Sequence, residues 1–237
     1  MKILLVGYGK MGQVIDTIAR QRGHDVVGVV DVTGDLTIAN APPADVAIEF
    51  THPESAVENI RSCAARNLPV VVGTTGWIHR LPEVKALTAK NDATVFYSSN
   101  FSLGVNIFFK LNEHLARLMN GLPGYDISID ETHHTQKKDA PSGTAITLAE
   151  GIIKNHLQKK KWRLDEAETP TDLVIRSHRV DPVPGTHVVS YESVIDSIEI
   201  RHTAHSREGF ATGAVLVAEW ILDKKGLLTM DDFLQIG

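Results

Sequence analysis

Hydrophobic positions change rhythm once along this chain. In the first hundred residues they come as short, nearly unbroken runs over Lys2–Val6, Asp25–Val30, Asp45–Phe50, Pro69–Val72 and Ala93–Tyr97. Such runs predict strands buried on both faces, as in a parallel sheet. Helical patterns alternate with them over Met11–Arg22, His52–Asn67 and Arg80–Asn91, and Pro53 suits a first helical turn. Between Asp31 and Asp45 there is no room for a crossover helix; Thr33-Gly34, Asn40 and Pro42-Pro43 mark a loop there. Strand alternating with helix predicts a Rossmann-like α/β domain.

A long helical pattern over Leu103–Asn120 follows, with Val105, Ile107, Phe108, Leu111, Leu115 and Leu118 as its expected apolar stripe. Beyond it apolar and polar residues alternate singly, over Tyr125–His134, Leu173–Val180 and His187–Thr203, the last long enough for a hairpin. Period-two alternation predicts strands with one wet face, hence an α+β domain with a mixed or mostly antiparallel sheet. Ser142–His156 reads as a helix within it, and a final helix over Arg207–Lys224 is expected to pack back on the first domain. The expected division is a first domain over 1–101, completed by about 207–237, and a second over 102–206.

Composition narrows the picture. A net charge of −5 without a long basic run argues against nucleic acid as a partner. The run Lys159-Lys160-Lys161 reads as a solvated helix end. The one cysteine, Cys63, excludes an internal disulfide and reads as a small buried apolar residue. No apolar stretch approaches the ~20 residues that span a bilayer, and the N-terminal run is too short for a signal peptide. A cytoplasmic protein is expected.

The first strand runs into Gly7-Tyr8-Gly9-Lys10-Met11-Gly12 and then a helix. This is G-x-G-x-x-G in the setting that binds a dinucleotide: a tight turn at Gly7, close approach of a pyrophosphate at Gly9, helix–strand packing at Gly12. The helix start offers free N–H groups to the phosphates. Asp31, nineteen residues after Gly12, is placed to accept bonds from ribose hydroxyls. Val32 follows it instead of an arginine, which favours NADH; Lys10 is an equal candidate for a 2′-phosphate contact and for a plain solvent lysine. Ligands of an open parallel sheet bind at the carboxyl ends of its strands, here also Phe50-Thr51, Gly73-Thr74-Thr75-Gly76 and Ser98-Ser99-Asn100-Phe101.

Glu131-Thr-His-His-Thr-Gln-Lys-Lys-Asp-Ala-Pro-Ser-Gly-Thr144 gathers proton donors, cations and a helix start within fourteen residues. Ser142 suits an N-cap, and Gly143 and Thr144 then present unpaired amides to a carboxylate. On a regular strand His133 and His134 point to opposite faces, so both reach one ligand only if the strand ends there and the chain turns. A histidine or a lysine is a suitable proton donor in reduction of a polarised double bond. Adjacent histidines rarely chelate one ion, and no metal is expected.

That stretch resembles the signature of the 4-hydroxy-tetrahydrodipicolinate reductase (dihydrodipicolinate reductase) family. The likeness extends over Gly7–Gly12, Asp45–Thr51, Val72–Trp77, Asn100–Asn106 and Glu199–Ala214. It implies NAD(P)H-dependent reduction of a cyclic dicarboxylate, 4-hydroxy-tetrahydrodipicolinate, to tetrahydrodipicolinate in lysine and diaminopimelate synthesis, with NADH, NADPH or both as cofactor. It implies proton chemistry at His133 and Lys137, with the order between them open, and carboxylate binding at His134, Gly143 and Thr144. Dinucleotide contacts are implied at Gly7–Gly12, Asp31, Phe50, Thr51, Gly73–Thr75 and Ser98–Phe101, with Arg207 and Phe210 near the cofactor on domain closure. A homotetramer built through the second domain is implied as well. The segment after the second strand is shorter than in longer members. The loop after Arg179, Val-Asp-Pro-Val-Pro-Gly185, lacks a glycine often seen there, and no proposed catalytic role is expected to depend on it. The alternatives are another two-domain amino-acid or semialdehyde dehydrogenase, which the placement of Cys63 disfavours, and a non-catalytic NAD(P)H-sensing regulator.

Overall fold

The computed structural model describes residues 1–206 and 208–235, in two compact units. One comprises Met1–Leu103 and the chain from Glu208 onward; the other takes the stretch between. In the first, β1 (Lys2–Val6), β2 (Asp25–Val30), β3 (Val46–Glu49), β4 (Val70–Val72), β5 (Thr94–Tyr97) and β11 (Gly226–Leu228) form a sheet in the order β11-β5-β4-β3-β1-β2. Every pairing is parallel. Alternation along each strand sends side chains to two cores. Ile3, Leu5, Val46 and Ile48 pack with Ile15 and Ala19 of α1 (Lys10–Gln21) and with Ala211, Ala214, Val215 and Ala218 of α6 (Glu208–Trp220). Leu4, Val6 and Ala47 pack on the other face with Ala56, Val57, Ile60 and Cys63 of α2 (Pro53–Ala65) and with Trp77. An apolar run is what such a strand requires.

The second unit carries α4 (Leu103–Met119), β6 (Asp126–His133), α5 (Gly143–Asn155), β7 (Lys161–Leu164), β8 (Asp172–Arg179), β9 (Gly185–Glu192) and β10 (Ser197–Ala204). Its strand order is β10-β9-β6-β8-β7. The sheet is mixed rather than mostly antiparallel. β9 runs antiparallel to β6 and β10, whereas β6–β8 and β7–β8 are parallel, because α5 returns the chain across the sheet after β6. Ile127, Ile129, Ile175, Val189 and Tyr191 meet Leu148, Ala149 and Ile152 of α5 and Phe108, Ala116 and Met119 of α4 in one core.

Several expectations from pattern are corrected. The buried stripe of α4 is Val105, Phe108, Asn112, Ala116 and Met119, with Ile107, Leu111 and Leu118 exposed. Polar Asn112 holds its buried place because its Nδ2 donates to Leu148 O at 2.9 Å, a bond that a count of apolar letters misses. The lysine run is no solvated helix end: α5 stops at Asn155 and Lys161 begins β7. Lys159 is buried, its Nζ donating to Asp126 Oδ1 (2.8 Å), Pro170 O (3.2 Å) and Asp172 O (2.9 Å). The last helix ends at Trp220, and the chain then adds β11 beside β5. The 3-residue strand was too short to announce itself in the sequence.

One close approach fixes α6 in the first unit. A Cβ on Gly213 would lie 1.8 Å from Phe101 O, a backbone atom that cannot yield alone. Gly213→Ala is therefore expected to destabilise this unit by about 1–3 kcal/mol, the usual cost of overpacking. Urea unfolding checks it, and wild-type stability in the variant would refute the packing described.

Candidate active site

The carboxyl ends of parallel strands share one edge of the first sheet, and the loops there belong to the sequence-predicted dinucleotide set. Gly7 closes β1 with φ +94°, and its N–H donates to Val30 O at 2.8 Å. A side chain at Gly7 would also meet Phe50 O at 2.1 Å, so glycine is required twice over. Gly12 lies against Gly7, where a Cβ would be 2.3 Å from the carbonyl oxygen. Gly9 is different: it is exposed, the N-cap of α1, with nothing within 4 Å of a Cβ position. The open space there and the first amides of α1, which have no intrahelical acceptor, fit a pyrophosphate.

Not every member of that set offers its side chain. Tyr8 Oη donates to Asp16 Oδ2 at 2.7 Å and Met11 packs on the core, whereas Lys10 stands in solvent. Asp31 is half-buried after β2, and its Oδ1 accepts from Val32 N at 2.9 Å; Val32 is exposed. Phe50 and Phe101 rings lie 5.7 Å apart, and Phe50 covers Gly73 so closely that a Cβ there would be 2.1 Å from its Cζ. Thr51 N donates to Thr74 Oγ1 at 2.7 Å, joining the ends of β3 and β4, and Thr75 is exposed beside them. Ser98 Oγ donates to Asn100 O at 2.7 Å, so this hydroxyl shapes its own loop, while Ser99 faces solvent. Phe101 is a core residue. Phe210 is half-buried on α6; Arg207 lies outside the described residues.

Beneath these loops sits a residue that pattern reading passed over. Glu49, the last residue of β3, is fully buried. It accepts hydrogen bonds from Thr51 Oγ1 and from Asn59 Nδ2 (3.2 Å). Burial pushes its carboxyl above the usual range, and the bonds from Thr51, Thr74 and Asn59 offset that only in part. The signal was an acid ending an otherwise apolar run.

In the second unit β6 alternates as expected, with Ile127, Ile129, Glu131 and His133 inward. The strand ends at His133, and Lys137 N donates back to His134 O at 3.1 Å. This turn is what the histidine pair needs, and it makes the two unequal. His133 is buried against the sheet; His134 is half-exposed on the turn. Lys137 Nζ donates to both carboxylate oxygens of Asp139, at 2.7 and 2.8 Å. Ser142 caps α5, its Oγ accepting from Ala145 N at 3.2 Å. Gly143 is exposed and Thr144 half-buried in the first turn, and no Cβ contact closes the space over Gly143.

Glu131 ties these parts together. It is fully buried, with Oε2 2.6 Å from His133 Nδ1. Its Oε1 accepts from Ser142 N and from both terminal nitrogens of Arg179, each at 3.2 Å. Burial opposes its charge, but hydrogen bonds from His133, Ser177 and Ser142 outweigh burial and hold the carboxyl below the usual carboxylate range. His187 is also buried, edge-on to His133 with ring centres 5.0 Å apart and Nε2 3.1 Å from Ser142 Oγ. Burial first, then the neighbouring His133, push His187 down to about 3. It is a neutral ring at neutral pH.

Arg179 and His187 were not among the residues the sequence singled out for the site. Cross-strand register puts His133 opposite Arg179 and Glu131 opposite His187, and register between strands some fifty residues apart is not written in local pattern. Glu131, His133 and His187 each place one ligating atom within 4.8 Å of the others. Glu131 Oε1 is already committed there to Arg179 and the Ser142 amide, and Oε2 faces His133.

Comparison with known proteins matches this two-part layout. The family model described as dihydrodipicolinate reductase, N-terminus, matches residues 1–101, and the one described as dihydrodipicolinate reductase, C-terminus, matches 104–234. The chain is 49% identical over 234 residues to the 4-hydroxy-tetrahydrodipicolinate reductase of Christiangramia forsetii, covering 99% of this chain and 98% of that one. It is 36% identical over 245 aligned positions to the enzyme of that name from Staphylococcus aureus, covering 98% and 100%. The solved structure of a dipicolinate-bound dihydrodipicolinate reductase from Paenisporosarcina sp. TG-14 has the same fold, with a TM-score of 0.80 at 24% identity over 99% of both chains. With both halves matched and relatives aligned from end to end, this chain belongs to the dihydrodipicolinate reductase family.

Proposed function

We propose that the protein reduces 4-hydroxy-tetrahydrodipicolinate to tetrahydrodipicolinate with NADH or NADPH, in lysine and diaminopimelate synthesis. Family membership supports the reaction, and the observation that carries the chemistry is the buried Glu131–His133 contact beside an open helix start. The dinucleotide belongs to the first unit: Gly7–Gly12, Asp31, Phe50-Thr51, Gly73–Thr75 and Ser98–Phe101 hold it, with Arg207 and Phe210 as further contacts. When bound it supplies hydride. The substrate belongs to the second unit, within residues 102–206.

Substrate and product differ by one oxygen, so addition of hydride and a proton accompanies loss of water. Glu131 holds the His133 ring by its Nδ1 edge, leaving Nε2 for proton exchange. Neutral His187 packs on that ring without competing for its proton. Lys137 supplies positive charge and a second proton source. His134 and the amides of Gly143 and Thr144 receive carboxylates, as a helix N-terminus favours. The reading also makes the enzyme cytoplasmic and a homotetramer through the second unit. Val194 and Ile195, both exposed between β9 and β10, support the latter. Gel filtration at a mass near the 25.9 kDa of one chain would overturn it.

Cys63 argues against an acyl-enzyme route. It is buried, and burial pushes its thiol up to about 12, so no thiolate is present near neutral pH.

Substrate-dependent oxidation of NADH is the direct assay. His133→Gln and Lys137→Met are each expected to lower kcat about 10²-fold with KM for NADH preserved; wild-type turnover in both would end the role assignment. Asp31→Ser is expected to narrow the ratio of kcat/KM for NADH over NADPH, and an unchanged ratio would remove Asp31 from ribose recognition.

His187 also sets a pH dependence of stability. Its unfolded value is 6.5 and its folded value about 3. Between these the unfolded chain binds a proton that the folded protein refuses, so stability is full above the upper value and falls as pH drops below it. His187→Asn is expected to flatten the fall in urea midpoint from pH 7 toward 5. Parallel curves for variant and wild type would contradict the buried neutral ring.

A further inference from the structure

The segment after β8 does more than connect strands. Val180 N donates to His133 O at 2.8 Å, extending the pairing of β6 and β8 to the last residue of β6. Arg179 Nη2 donates to Asp139 O at 2.6 Å, and its Nε to Lys137 O at 3.3 Å. Asp181 accepts from Thr135 N at 3.0 Å and from Thr135 Oγ1 at 2.6 Å. Residues 135, 137 and 139 are thus each held, at every second position, by residues 179–181. The head of Arg179 is itself fixed on buried Glu131. Loop backbone that is free costs ~1–2 kcal/mol per residue to order, and this loop is ordered from outside. The stretch after Arg179, from which no catalytic role is expected on sequence, is therefore tied to the loop that carries Lys137.

We propose that Arg179 and Asp181 form a clamp that positions Lys137 for the reduction by gripping the backbone on both sides of it. They are positioning residues: the clamp bonds end on loop atoms and on Glu131. The inference rests on the reading that Lys137 serves the reaction, and the test separates the two.

Asp181 is exposed, so its replacement tests the clamp without opening a core. The enzyme is assayed as wild type, Asp181→Ala, Asp181→Asn, Arg179→Lys, Lys137→Met and the double variant Lys137→Met/Asp181→Ala, with kcat, both KM values and melting temperature for each. Asp181→Ala is expected to lower kcat about tenfold, as misplacement of a catalytic group does, with KM for NADH and melting temperature unchanged. Asp181→Asn keeps one acceptor and falls between. Arg179→Lys keeps the charge but lacks the fork that reaches both carbonyls and Glu131, and loses activity like Asp181→Ala. In the Lys137→Met background Asp181→Ala is expected to cost less than about twofold more, because residues acting through one group are not additive. Wild-type kcat in Asp181→Ala refutes the clamp, as does its full loss repeated on top of Lys137→Met. Wild-type kcat in Lys137→Met instead refutes the role of Lys137.

Discussion

A carboxylate with no exposed surface governs the second unit. Glu131 sits on β6 among isoleucines, and burying an unpaired carboxylate is among the costliest acts in folding. The cost is met by surrounding it: His133 on one oxygen, Arg179 and the Ser142 amide on the other. Each partner belongs to a different element. By requiring all of them, Glu131 fixes the His133 ring, the start of α5, and the arginine that holds the Lys137 loop. Removing one partner of such a buried pair is far more damaging than never having had the pair, which is why these side chains behave as one group.

The first unit uses the same device with the opposite electrostatic outcome. Glu49 also ends a run of buried apolar residues, under the loops at the carboxyl edge of its sheet. Its partners are the neutral Thr51, Thr74 and Asn59, so burial prevails and the proton is held more firmly than in water. Around Glu131 the hydrogen bonds from His133, Ser177 and Ser142 prevail instead. One acid braces the ends of β3 and β4 through Thr51 and Asn59; the other acts as a charge that orders the side chains around it.

Much of this was readable before the structure. Unbroken apolar runs gave the parallel strands, because a strand feeding two cores has no polar face to show. The glycine loop, Asp31 and the alternation through His133 lay in local sequence; that the strand ends at His133 did not, and was legible only as the condition for both histidines to reach one ligand. What escaped was set by distant partners. Lys159 looked solvated because its three acceptors lie in β6, just ahead of β8 and at the first residue of β8; Asn112 lay outside the expected α4 stripe because its carbonyl partner lies on α5. Arg179 and His187 entered the site through sheet register alone.

The central claim is that Glu131 acts on catalysis by organising the second unit, not by touching the dinucleotide. Its most direct test is kcat of Glu131→Gln with substrate and NADH saturating, read beside the dissociation constant for NADH. Glutamine keeps the shape but removes the charge that His133 and Arg179 answer. The account predicts a loss of kcat of about 10²-fold or more with NADH binding unchanged. Turnover near wild type would contradict it.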